Sequence, residues 1–67
     1  MKQGTVREYD SAKGFGFIET DDGDDCFVHV SGLRVDLQKH GLRTGQRVQF
    51  DVQFDVKGDR AVNVRPS

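Results

Sequence analysis

The clearest pattern in the chain is an unbroken alternation from Gln46 to Phe54. Val48, Phe50, Val52 and Phe54 fall on one side, and Arg47, Gln49, Asp51 and Gln53 on the other. A period of two marks a strand with one face on a core, so the pattern predicts that all four apolar residues are buried and that Phe50 and Phe54 are structural. Gln3 to Tyr9 predicts an earlier strand with Val6 inward. Strict alternation there puts the Glu8 carboxylate on the side of Val6; a bulge, or exposure of both faces near the strand's end, would relieve the conflict. Lys13-Gly14-Phe15-Gly16-Phe17-Ile18 places Phe15, Phe17 and Glu19 on one face and Gly14, Gly16, Ile18 and Thr20 on the other. Cys26 to Val30 sets Phe27 and His29 against the small apolar Cys26, Val28 and Val30, and Arg60 to Arg65 reads as a last strand with Val62 and Val64 inside. Pro66 ends it by removing a ladder donor.

The connections carry turn chemistry. Asp10-Ser11-Ala12-Lys13-Gly14 is a turn by composition, and Asp22-Gly23 supplies residues that tolerate positive φ between the second and third strands. Asp55 to Asp59 turns the chain into the final strand. Between the third and fourth strands, Ser31-Gly32-Leu33 predicts one short helical turn with Leu33 plugging the end of the sheet, and Val35 to His40 a further turn or two.

The aromatic faces decide what this sheet is for. Two glycines and one isoleucine make a thin backing for Phe15 and Phe17. If the second and third strands pair across the Asp21 to Asp25 turn, Phe15, Phe17, Phe27 and His29 gather into one patch flanked by Lys13. Rings beside a cation suit unpaired bases, which offer a π-face with a phosphate behind it. A hydrophobic core that happens to contain three of the five phenylalanines satisfies the same pattern.

Composition narrows the alternatives. With 67 residues, one small domain over residues 1–67 is expected, near the lower end of what folds without covalent or metal staples. The lone Cys26 allows no internal disulfide and suits a reducing cytoplasm. No apolar run approaches the roughly 20 residues of a membrane span, so a soluble, cytoplasmic product is expected. The net charge of -1 argues mildly against nonspecific duplex binding, although its distribution is uneven: seven of the eleven acids precede residue 26, and eight of the ten bases are Lys13 or later. Cys26 and His29 have a zinc-like spacing, but residues three apart on a strand point to opposite faces and no second ligand pair exists. The Asp21-Asp22-Gly23-Asp24-Asp25 run lacks the spacing and terminal glutamate of a calcium loop. Paired catalytic carboxylates and a phosphate-cradling loop are missing, and no nucleophile can be assigned beside His29. No enzyme activity, metal or cofactor is expected.

Two segments resemble a known family. Lys13-Gly14-Phe15-Gly16-Phe17-Ile18 and Phe27-Val28-His29, with Ser11, Asp24, Asp25 and Ser31 around them, are similar to the two ribonucleoprotein-type motifs of cold-shock domains. The likeness runs from Gly4-Thr5-Val6 through Gly45-Gln46-Arg47-Val48-Gln49-Phe50 to Ala61-Val62-Asn63-Val64. The resemblance implies an all-β fold, a five-stranded antiparallel barrel of the oligonucleotide-binding (OB) class, with the rings outside against single-stranded RNA or DNA. It implies stacking on Phe15, Phe17, Phe27 and His29, phosphate contact by Lys13 and Arg7, and a base hydrogen bond to Asp25. It also implies a monomer with no metal or membrane contact, and a chaperone-like melting of weak RNA structure without ATP. Several residues depart from the family pattern. Glu8 stands where tryptophan is usual, Tyr9 replaces phenylalanine, Asp10 replaces asparagine and Val30 replaces an aromatic. Leu37 is the nearest match to a ring of the long connection, which carries one inserted residue. The basic Arg34, Lys39, His40 and Arg43 offer electrostatics in place of missing rings, while Lys57, Arg60 and Arg65 read equally as backbone contacts or as solvated charge. The alternative implied by those departures is a weakly binding or non-binding interaction module, or the N-terminal domain of a longer protein.

Overall fold

The structure, a computed structural model, describes residues 2–67. Alternation is realised as five strands: β1 (Lys2–Asp10), β2 (Phe15–Thr20), β3 (Asp25–His29), β4 (Arg47–Asp55) and β5 (Gly58–Pro66). They close into a barrel in the order β1-β2-β3-β5-β4, an all-β architecture of the OB class. Four seams are antiparallel; the barrel is closed by a short parallel seam in which Phe27 lies opposite Arg60 and Val28 opposite Ala61. Inside lie Val6, Ile18, Cys26, Val28, Val48, Phe50, Ala61 and Val64, each no more than 1% exposed. A domain this small has little apolar area to bury, and closing the sheet gives every strand a neighbour on both sides.

Of the two ways to relieve the conflict at Glu8, the first strand takes the bulge. Val6 pairs with Ile18 and Glu8 with Phe17, so Arg7 is an extra residue in β1. The insertion turns Glu8 to the outer face and brings Tyr9 inward opposite Gly16. Gly16 explains the thin backing of the phenylalanines. A Cβ there would come within 2.6 Å of Tyr9 Cα and closer still to the Glu8 carbonyl oxygen, so the inward-facing glycine is what lets β1 lie tightly across β2.

Two expectations for the core are corrected by how the strands end or shift. Phe54 is 88% exposed, not buried, and Val52 is only half-buried. The β4–β5 hairpin runs beyond the rest of the barrel: among the described residues β1 covers β4 only as far as Phe50, and β3 reaches β5 no nearer the tip than Arg60. Phe54 therefore lies on the inner side with nothing across from it. In β5, Asn63 adopts a positive φ of 54° at a second bulge, which turns both Val64 and Ala61 inward and leaves Val62 half-exposed rather than inside.

The connection between β3 and β4 holds a 3-10 turn, Val30–Gly32, and a short helix α1, Val35–His40. Leu33 closes the barrel as expected, buried and bridged to Val64. Leu37 and Leu42 also join the core, so Leu37 cannot stand in for a surface ring. At the opposite side, Arg47 grips both carboxylate oxygens of Asp21 at 2.7 and 3.0 Å and donates to Thr5 Oγ1 at 3.0 Å, tying the start of β4 to the β2–β3 turn across β1. In that turn Gly23 takes φ 93°, as the Asp22-Gly23 pair predicts.

Candidate nucleic-acid interface

The strand register places the candidate side chains in rows on the outside of the barrel. One row runs Asp10, Phe15, His29; the next runs Glu8, Phe17, Phe27, Arg60. Phe15 and Phe17 are 37% and 39% exposed, while Phe27 is half-buried between them. Each outer ring lies 6.0 Å from the Phe27 centroid, Phe15 roughly parallel to it at 29° and Phe17 edge-on at 76°. These spacings are favourable for aromatic pairs, so the three rings hold one another as a fixed surface. The inner face needs none of them, because Ile18, Cys26 and Val28 fill the positions behind.

His29 is held by its neighbour. The Ser31 backbone N–H donates to His29 Nδ1 at 3.1 Å, and Ser31 Oγ lies 2.9 Å from the same nitrogen. An Nδ1 that accepts leaves the proton of the neutral ring on Nε2, free to donate outward. Arg7, turned out by the bulge, pairs with Asp25 at 3.4 Å at the edge of the patch beside Phe17. Asp25 is thus an acceptor already shared with a guanidinium. Lys13 is exposed at the other edge, in a shallow cleft with Phe15 and Asp10. Its backbone N–H and that of Ala12 both donate to Asp10 Oδ1, at 3.1 and 3.0 Å. Asp10 therefore serves the turn with one side-chain oxygen, a task an asparagine carbonyl performs equally well.

All seven residues singled out from the sequence, Arg7, Lys13, Phe15, Phe17, Asp25, Phe27 and His29, lie on this face or its rim. Sequence reasoning left Arg60 open between a backbone contact and solvated charge and did not bring it to the aromatic patch. Its guanidinium carbon lies 5.8 Å from the Phe27 ring centroid, and together with Asp55, Lys57 and Asp59 it walls a cleft of about 380 Å³ floored by Phe17 and Phe27. The signal that brings it there is the parallel β3–β5 register, a long-range pairing with no local signature. Cys26 and His29 face opposite sides of β3, and among the described residues no group of three or more His, Cys, Asp or Glu side chains is placed to hold a metal ion. Burial pushes the Cys26 thiol and the Tyr9 hydroxyl above their ordinary pKa values.

A closed five-stranded barrel of the OB class with an exposed aromatic patch on two adjacent strands is the architecture of an oligonucleotide-binding module. The family model described as 'Cold-shock' DNA-binding domain matches residues 2–67, and the chain belongs to the cold-shock domain family, whose members generally bind nucleic acid. It is 49% identical over 65 residues to the cold shock protein CspC of Bacillus subtilis (strain 168), covering 97% of each chain. It is 46% identical over 66 residues to cold shock protein 1 of Lactiplantibacillus plantarum, covering 98% of each. The major cold shock protein of Streptococcus pyogenes serotype M18 is 45% identical over 67 residues, covering 96% of this chain and 94% of that one.

Proposed function

We propose that this chain, acting as a monomeric cytoplasmic domain over residues 1–67, binds single-stranded RNA or DNA by stacking bases on Phe15, Phe17, Phe27 and His29, with Lys13 at a phosphate. Arg7 and Asp25 flank the strand at the far edge. The observation that carries this reading is the pair of 6.0 Å ring spacings on the outer face of a barrel whose core is filled without those rings. Phe15 and Phe17 keep a little over a third of their surface in water, which forgoes a fraction of the roughly 1.5–3 kcal/mol of full burial, and a stacking partner recovers it. A surface of this kind favours unpaired strands, because a base inside a duplex cannot present its face. By mass action it would hold weak RNA structure open without ATP, a chaperone-like rather than an enzymatic role.

The test is a titration of labelled oligo-dT and oligo-U at salt between about 50 and about 200 mM. Binding should weaken with salt, and Phe15→Ala and Phe17→Ala should each weaken it about 5- to 150-fold, the equivalent of about 1–3 kcal/mol per stacked base. Parent-like binding by both variants sinks the proposal. One observation favours a second reading as a weak-binding interaction module: Glu8 puts a carboxylate opposite Phe17, and Val30 and Leu37 pack against or within the core and add no ring. Under that reading the parent fails to bind either homopolymer even at low salt.

A further inference from the structure

The cleft between Phe17, Phe27 and the β4–β5 hairpin has chemistry that the stacking patch alone does not use. We infer that it is a guanine-selective subsite whose selectivity is set by Arg60 and Asp55; this deepens the single-strand reading above and rests on it. The volume of about 380 Å³ lies within the range of small-ligand clefts and leaves room for one base on the aromatic floor. The wall opposite that floor combines a donor fork with a carboxylate. Arg60 Nη2 is 3.6 Å from Asp55 Oδ2, longer than a good charge-assisted hydrogen bond, and Arg60 Nε is buried without a partner. The guanidinium is held in place over Phe27 while most of its hydrogen-bonding capacity stays unspent.

Guanine is the base that matches this wall. Its O6 and N7 accept a bidentate pair from an arginine fork, and its adjacent N1–H and N2 amino group present a donor pair to a carboxylate. Adenine would set its amino group against the guanidinium. Thymine and uracil offer a single N–H between two carbonyls, so a carboxylate that accepts it faces a carbonyl oxygen on either side. Cytosine can satisfy the guanidinium but offers the carboxylate only its amino group, and its smaller ring covers less of the floor. Lys57 at the mouth of the cleft supplies positive charge for the neighbouring phosphate without reading the base.

The experiment compares short oligo-dT with the same strand carrying one central guanine, cytosine or adenine, by fluorescence anisotropy at fixed salt. The parent should bind the guanine strand about 5- to 150-fold tighter than oligo-dT, as one bidentate contact provides. In Arg60→Gln the ratio of guanine-strand to oligo-dT affinity should fall to about one, whatever change oligo-dT binding itself shows. Arg60→Lys keeps the charge and loses the fork, and should lose the gain as well; Asp55→Asn should reduce it. The inference is overturned if strands bind but guanine gives no gain, if cytosine matches it, or if the gain survives in both arginine variants. Failure of the parent to bind any strand removes the single-strand reading itself, and this inference with it.

Discussion

Glu8 stands directly opposite Phe17 in the β1–β2 ladder, and it does so because Arg7 is an extra residue in β1. Without that bulge the carboxylate would share the inner side with Val6. The bulge therefore resolves a core conflict by moving a negative charge onto the aromatic patch, where the family usually places tryptophan. A carboxylate has no π-face and repels phosphate. Glu8→Gln should strengthen oligo-dT binding modestly, most clearly at low salt, where the charge is least screened. Glu8→Trp should strengthen it more, by up to the roughly 1–3 kcal/mol of one stacked base. Anisotropy titrations of both variants decide; affinities that match the parent's would mean strands do not cross this part of the barrel.

Gly16 allows no side chain, since any Cβ would press into the β1 backbone at Glu8 and Tyr9. The atoms it would meet belong to the main chain, which cannot rotate away. Gly16→Ala should destabilise the barrel by at least about 2 kcal/mol, within the usual range for overpacking, a large share of the total for a small domain. Urea denaturation measures it. A midpoint within error of the parent's would show that β1 and β2 can separate freely at the bulge.

Phe50 and Phe54 have the same parity in β4 and opposite fates, 0% and 88% exposed. Phe50→Ala should cost about 3–5 kcal/mol, whereas Phe54→Thr should lie within about 0.5 kcal/mol of the parent. Equal costs for the two would mean that the hairpin tip folds back onto the barrel in solution.

That pair also marks how far the sequence could be read. Alternation identifies which side of a strand a residue takes, and for Val48, Phe50, Ile18, Cys26 and Val28 the side was enough, because another strand lies across from each. For Phe54 it was not: whether anything faces it depends on where β1 and β3 stop. Val62 was misplaced for a related reason, since the bulge at Asn63 shifts the phase of β5 after pairing has set it. Short polar and glycine cues, by contrast, placed the Asp22-Gly23 turn correctly, whereas the irregular spacing of Val35, Leu37 and Leu42 allowed no more than a turn or two where the Val35–His40 helix lies. The aromatic patch was legible because both its strands are joined by one tight turn. Arg60 joins it from a strand more than thirty residues away in sequence, through a parallel seam that local pattern does not encode.

Asp21 gives the fold a specific acid sensitivity. The hydrogen bonds from Arg47 hold its carboxyl below its ordinary pKa, with the opposing charge adding to the effect and slight desolvation working against it. A carboxyl with a depressed folded-state pKa stabilises the fold fully above its unfolded value and loses that contribution as pH falls through the folded one. Both side chains are about half exposed, so the effect at neutral pH is small and screened by salt. Thermal melts between about pH 5 and about pH 2 should show the parent losing stability faster than Asp21→Asn or Arg47→Met, with the gap between parent and each variant narrowing toward the acid end. Arg47→Met keeps much of the apolar stem, so its difference from the parent reports mainly on the lost charge and hydrogen bonds. Curves that run parallel across the whole range would show that the Arg47 contact does not perturb Asp21 in solution.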